Sequence, residues 1–215
     1  MKAARISCFA LGTALLLAAL FLVLHNIIED KKSGEQAQAI LTELKNEIPE
    51  YVPEQTTEAI EAEEYDLFAE YEEPEEPAVP EMEAIVVEDD PYIGYLTIPD
   101  LSLELPVMSE WSYPSLKVSP CRYRGSLFTD DMIIAAHNYS SHFGKLDELT
   151  NGSEIIFTDV TGRPHRYEVV NIERLPGTAV EDMEFGSADE WDLTLFTCTL
   201  SGQSRVTVRA ERTED

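Results

Sequence analysis

Basic residues are scarce in this chain. Lysine and arginine number 15 against 42 aspartates and glutamates, for a formal net charge of −27, and no basic residue occurs between Lys45 and Lys117. Binding to phosphate backbones needs clustered Lys and Arg, so this balance excludes nucleic acid as a partner. Cysteine is scarcer still, with Cys8, Cys121 and Cys198 as the whole complement. A zinc site built from His137, His142 and Cys198 would lack the tight paired ligand spacing of such sites, so no metal is expected. Long apolar runs are limited to one place, Ile6 to Ile28, and no internal repeat is present.

That run is long enough, at about 1.5 Å per residue, to cross a hydrocarbon core of roughly 30 Å. Lys2 and Arg5 precede it and no small-x-small cleavage site follows it, so residues 1–33 read as a retained signal anchor and not as a removed signal peptide. The flanking charges favour a cytoplasmic N-terminus with the rest of the chain outside, although Lys31 and Lys32 weaken the count. Residues 34–48 carry Ala37, Ile40, Leu41, Leu44 and Ile48 at helical spacing, which predicts a juxtamembrane helix, with a partner-binding helix as the alternative. Residues 49–90 are rich in Glu and Pro, as in Glu70-Tyr71-Glu72-Glu73-Pro74-Glu75-Glu76-Pro77. Such a segment buries too little apolar surface to offset chain entropy and is expected to be a disordered acidic stalk, spanning about 35 Å as a flexible coil.

From residue 91 to 215 the pattern changes to short apolar-alternating runs separated by turn residues. Leu96 and Ile98, then Leu101 to Val107, show period two with a slip at Pro99-Asp100. Met132 to Ala136 is a short continuous apolar run. Glu154 to Val160 and Tyr167 to Leu175 flank the turn Thr161-Gly162-Arg163, and Leu193 to Cys198 precedes Arg205 to Arg212. Seven or eight short strands with helical pieces near Phe143–Leu149 and Ala179–Met183 predict an all-β fold, a small closed barrel holding a single core. Deleting residues 1–90 is expected to leave this barrel soluble and active.

The chemistry concentrates at the C-terminal end. Cys198 closes one strand and Arg205 opens the next across a six-residue loop, which holds a thiol close to a fixed cation. A cysteine nucleophile also needs a proton-transfer partner. His25 ends the apolar run, and His165, just after a turn, reads as exposed. His137 ends the strand Met132–Ala136 and is favoured over His142 in the following loop, because a strand end is the more rigid platform. Cys8 lies within the apolar run and reads as inert. A disulfide between Cys121 and Cys198 is disfavoured because it would consume the residue with the best chemical context.

These residues resemble a known family. Ala135-Ala136-His137-Asn138 is similar to the Ala-Gly-His segment of sortases, the membrane-anchored cysteine transpeptidases of Gram-positive bacteria. Thr194-Leu195-Phe196-Thr197-Cys198 is similar to their Thr-Leu-x-Thr-Cys signature, and Arg205 to the arginine that follows it. Ile93-Gly94-Tyr95-Leu96-Thr97-Ile98-Pro99 with Leu105-Pro106-Val107 resembles the opening strands. The resemblance covers about residues 92–212 and leaves the class open, with a class D-like assignment among the candidates.

The resemblance implies an eight-stranded barrel and a catalytic triad of His137, Cys198 and Arg205, with Thr197, Ala136 and Asn138 lining the substrate groove. It implies a cell-membrane enzyme whose partners are surface proteins bearing a Leu-Pro-x-Thr-Gly-like sorting signal. The acceptor would be an amine on a lipid-linked peptidoglycan precursor or on a pilin lysine. No cofactor is implied; calcium dependence stays open. Ala136 stands where the family usually has glycine, and no second apolar span follows the barrel, which favours wall anchoring over pilus assembly. Two rival readings remain: a secreted cysteine peptidase that hydrolyses its thioester, and an inactive membrane-anchored binding barrel.

Overall fold

The computed structural model describes residues 2–52, 80–184 and 191–213. Helix α1 (Lys2–Glu47) comes first. Strands β1 (Ile85–Val87), β2 (Asp90–Ile98), β3 (Leu103–Met108), β4 (Cys121–Arg124) and β5 (Met132–Ala136) follow. The set closes with β6 (Glu154–Asp159), β7 (Pro164–Pro176), β8 (Leu193–Cys198) and β9 (Ser204–Arg212). Two short helices, α2 (Tyr113–Leu116) and α3 (Val180–Glu184), lie in the β3–β4 and β7–β8 connections. Most of the stalk read from sequence, 53–79, falls outside the described residues, and β1 lies within its range.

Eight strands close into a barrel in the order β2-β3-β4-β5-β8-β9-β7-β6, with β6 pairing back onto β2. Strand β1 is an addition, paired antiparallel with the start of β2. Closure leaves few free ladder edges. The pairing of β2 with β6 brings two backbones close at Gly94, whose φ is +146° and where a Cβ would sit 2.1 Å from the Thr158 carbonyl oxygen. Only glycine fits there.

Period-two alternation assigns each strand residue to a face. Met132, Ile134 and Ala136 of β5, Leu193 and Leu195 of β8, and Val206, Val208 and Ala210 of β9 enter the barrel core with Leu96, Leu105 and Phe157. Ile133, Ala135 and Phe196 point the other way and form a second cluster with Met183 of α3. The 177–184 segment therefore roofs the outer face of the β5–β8–β9 sheet.

The anchor and the helix predicted separately from sequence form one continuous helix. Side chains from Phe9 to Ile28 have no protein cover, and this part is long and apolar enough to cross a membrane. Farther on, Ala37, Ile40, Leu41 and Leu44 are buried. Ile40 and Leu44 pack with Val87, Tyr92, Met108 and Cys121. The surface that receives the amphipathic face of residues 34–48 is the chain's own barrel. Lys45 Nζ lies 2.5 Å from Glu104 Oε1, and Gln38 Nε2 donates to the Glu104 carbonyl oxygen at 2.8 Å.

The β6–β7 hairpin corrects one reading. Asp159 accepts from the amides of Thr161 (2.9 Å) and Arg163 (3.1 Å), and from His165 Nε2 at 2.9 Å. With 10% of its side chain exposed, His165 is a partnered hairpin residue. Its position after a turn suggested exposure, but the carboxylate at the turn's start draws it in.

Candidate active site

Strands β5 and β8 run parallel with Ala136 opposite Thr197, so the next residues, His137 and Cys198, leave the sheet at the same end. Strands β8 and β9 run antiparallel with Cys198 opposite Arg205. Neighbouring strands lie about 4.8 Å apart, which puts the three side chains across two adjacent strand gaps. Their parity matches Phe196 and Ile133, so all three face outward into the groove under the roof. The three line one pocket of about 180 Å³.

The wall of this pocket is aromatic. Trp111 and Tyr123 have ring centroids 5.4 Å apart, and Tyr123 meets Phe196 edge-on at 5.5 Å. Tyr113 packs edge-on against Trp111 at 5.7 Å and is largely exposed. Val180 and Met183 of the roof complete the lining. The Tyr123 hydroxyl donates to Glu184 at 2.9 Å, and Arg124 bonds the same carboxylate at 2.6 Å, tying roof to wall. A second depression of about 480 Å³ adjoins Cys198 on its other side, with a more polar lining that includes Asn138, Ser140, Asp147, Arg174 and Thr199.

Cys198 is exposed and free. His137 is half-buried, and burial together with the nearby positive charge of Lys117 holds its pKa below the usual 6.5, so the imidazole is mostly neutral at neutral pH. Arg205 Nη1 donates to the Gly177 carbonyl oxygen. One such bond orients a guanidinium that carries five N–H donors.

The other expected groove residues take different places. Ala136 borders the aromatic pocket, while Asn138 and Thr197 border the polar depression. Thr197 is buried and its Oγ1 donates to the Ala136 carbonyl oxygen at 2.8 Å, which locks β8 to β5 just before the thiol. His142 is fully buried, with Nε2 3.0 Å from Ser33 Oγ. Cys121 lies in the cluster beneath α1, where burial pushes its thiol up to about 12, and it is free of Cys198. No group of three or more potential metal ligands exists among the described residues.

Sequence reading missed the aromatic wall and the device that holds the roof down. Arg209 is 1% exposed and donates to the carbonyl oxygens of Asp182 (2.6 Å) and Met183 (2.9 Å), to Thr194 Oγ1 (3.0 Å) and to Glu173 (3.1 Å). Arg205, Thr207 and Arg209 alternate along one face of β9, and that parity was the available signal.

The family model for the sortase domain matches residues 96–213, more than half of the chain. Among solved structures, sortase C1 from Streptococcus agalactiae is similar at 24% identity and TM-score 0.53, covering 60% of this chain and 72% of that one. Sortase C from Clostridium perfringens is similar at 22% identity and TM-score 0.51, covering 60% and 73%. Sortase A from Corynebacterium diphtheriae is similar at 22% and 0.51, covering 59% and 62%. At these identities the likeness shows the fold. No curated protein matches this sequence.

Proposed function

The chain belongs to the sortase family, and from that membership we propose that it is a thiol transpeptidase working through Cys198, His137 and Arg205. The observation that carries this reading is the convergence of an exposed thiol, a half-buried imidazole and an oriented guanidinium on one pocket.

Cys198 gives its thiol proton to the neutral His137 as Sγ attacks the carbonyl carbon of the threonine in a Leu-Pro-x-Thr-Gly-like signal. Arg205 donates hydrogen bonds to the oxygen that gains charge, a task suited to a planar, permanently charged donor. The peptide C–N bond breaks as His137 delivers a proton to the departing amine, which leaves a thioester on Cys198. An acceptor amine then attacks the thioester, gives its proton to His137, and the C–S bond breaks. An imidazole with a depressed pKa is a strong proton donor when charged and is neutral when the second amine arrives. The thioester conserves the peptide-bond energy, so the acyl transfer itself requires neither nucleotide nor metal.

The two depressions flanking Cys198 divide the substrates. The aromatic pocket suits the apolar residues of the signal. The polar depression, lined by Asn138, Ser140, Thr199 and the Arg174–Asp147 ion pair, offers hydrogen-bond acceptors that suit an incoming amine, on a peptidoglycan precursor or a pilin lysine. The barrel stands outside the cell membrane, with the five residues before the apolar run inside.

The test is covalent trapping with full-length protein in detergent micelles. A signal pentapeptide should add its acyl mass to wild type and not to Cys198→Ala, and triglycine should divert product from acid to amide. Adduct formation with acid as the sole product would make the chain a hydrolytic peptidase. No adduct with any signal peptide would make it a binding barrel.

A further inference from the structure

The membrane helix touches the barrel at one place where chemistry is at stake. Asp30 follows Ile28, the last residue of the apolar run, by two positions, about 3 Å along a helix axis. Its carboxylate accepts from the amides of Ser140 (3.0 Å) and Ser141 (3.1 Å) and from the Ser141 hydroxyl (2.6 Å). One turn later Ser33, itself buried, donates to the Lys117 carbonyl oxygen at 2.5 Å. That bond uses the hydroxyl's one proton, so the 3.0 Å contact with His142 is Nε2–H donating to Ser33 Oγ. At Gly34 an added Cβ would lie 2.7 Å from Ser141 Cβ, so the helix and loop backbones approach as closely as glycine permits.

The loop gripped in this way begins at His137. The Phe143 amide donates to the His137 carbonyl oxygen at 3.1 Å. Tyr139 stacks at an angle between the two histidine rings, 5.0 Å from His137 and 5.6 Å from His142. Ser140 also borders the polar depression beside Cys198.

We propose that Asp30 and Ser33 are positioning residues of the active site, and that the membrane-anchored helix holds the 138–144 loop, and through it His137, in register with Cys198. The inference rests on the reading of His137 and Cys198 as the catalytic pair. It makes the anchor part of the enzyme's working geometry, and it holds the histidine loop at the membrane surface. Residues past the span are polar, yet Asp30 spends its carboxylate on two loop amides, which orders that loop without burying apolar area. A misplacement of about 1 Å at a reacting group costs on the order of a hundredfold in rate.

The experiment uses the full chain in nanodiscs, as wild type, Asp30→Ala, Asp30→Asn and Ser33→Ala. Asp30→Ala should lower kcat by about tenfold to a hundredfold, with the KM for the signal peptide changed less than about twofold. Asp30→Asn keeps an acceptor oxygen for the loop amides and should recover most of the loss. Amide hydrogen exchange at Ser140 and Ser141 should speed up in Asp30→Ala while β5, β8 and β9 stay protected. Unchanged kcat and unchanged exchange in Asp30→Ala would overturn the inference, as would a loss of kcat that tracks general loss of protection. A wild type that forms no Cys198 adduct would instead sink the proposed function, and exchange would still decide whether Asp30 holds the loop.

Discussion

Replacing Arg209 with Met should loosen the roof over the site and cost stability that can be worked from its partners. The methionine keeps most of the stem volume and removes the guanidinium, leaving two α3 carbonyls and the Thr194 hydroxyl without it. A buried acceptor that loses its donor costs about 1–3 kcal/mol. Glu173 is one-third exposed, so water takes over that carboxylate at little cost. Relief of the buried cation's desolvation opposes these losses, which leaves a net of about 3 kcal/mol. For a folded part of this size that corresponds to roughly 10 °C in Tm. Thermal and urea unfolding followed by tryptophan fluorescence measures it, and the KM for signal peptide should rise because Val180 and Met183 shift. A loss under about 1 kcal/mol with KM intact would show that the roof is held by Met183 packing, and the hydrogen-bond argument would be wrong.

Leu44→Asp puts a carboxylate into the cluster of Val87, Tyr92 and Met108 and should release the second half of α1, seen as fast amide exchange over 34–47; unaltered protection would refute the packing assignment. Acid should weaken the fold through His142, which burial and then the nearby His137 hold down to about 4 against 6.5 when free. The unfolded chain binds that proton first, so this contribution is complete above pH 6.5 and is lost as pH falls from 6.5 towards 4, amounting to roughly 3 kcal/mol. His142→Phe should flatten the stability profile in that window, and an unchanged slope would assign the acid sensitivity elsewhere.

The barrel was legible because its strands alternate cleanly. Leu193 to Cys198 and Arg205 to Arg212 fall within a residue of β8 and β9, and the Pro99-Asp100 slip marks a 3-10 turn at Pro99–Leu101 between β2 and β3. The convergence of His137 with Cys198 was not legible from spacing, since it depends on the parallel pairing of β5 with β8, two strands separated by 56 residues of crossover. Resemblance supplied it instead. Strands β1 and β4 were missed because each is short, and Cys121-Arg122-Tyr123-Arg124 carries charge at alternate positions. The apolar stripe that starts at Ala37 lies on α1, which ends at Glu47, and the barrel surface it packs against was invisible in the sequence. A deletion of residues 1–90 looked harmless in sequence; in the structure it strips α1 and β1 and uncovers Tyr92 and Met108.

The three proposed catalytic side chains are not supported in the same way. Cys198 and Arg205 are opposite one another in the β8–β9 ladder, so their relative position is as stable as the barrel. His137 sits one residue beyond β5, and its ring is set by a loop whose hold on the remainder of the protein includes Asp30 and Ser33. A disturbance in the barrel core therefore moves all three, whereas one at the membrane end of α1 moves the imidazole alone. In alkylation by a small electrophile the thiol can lose its proton to solvent and none is delivered to a leaving amine, so this reaction should be less sensitive to the anchor. Steps that need a proton delivered to an amine should follow it, and comparing the two rates in one Asp30 variant separates loss of the histidine's position from loss of the fold.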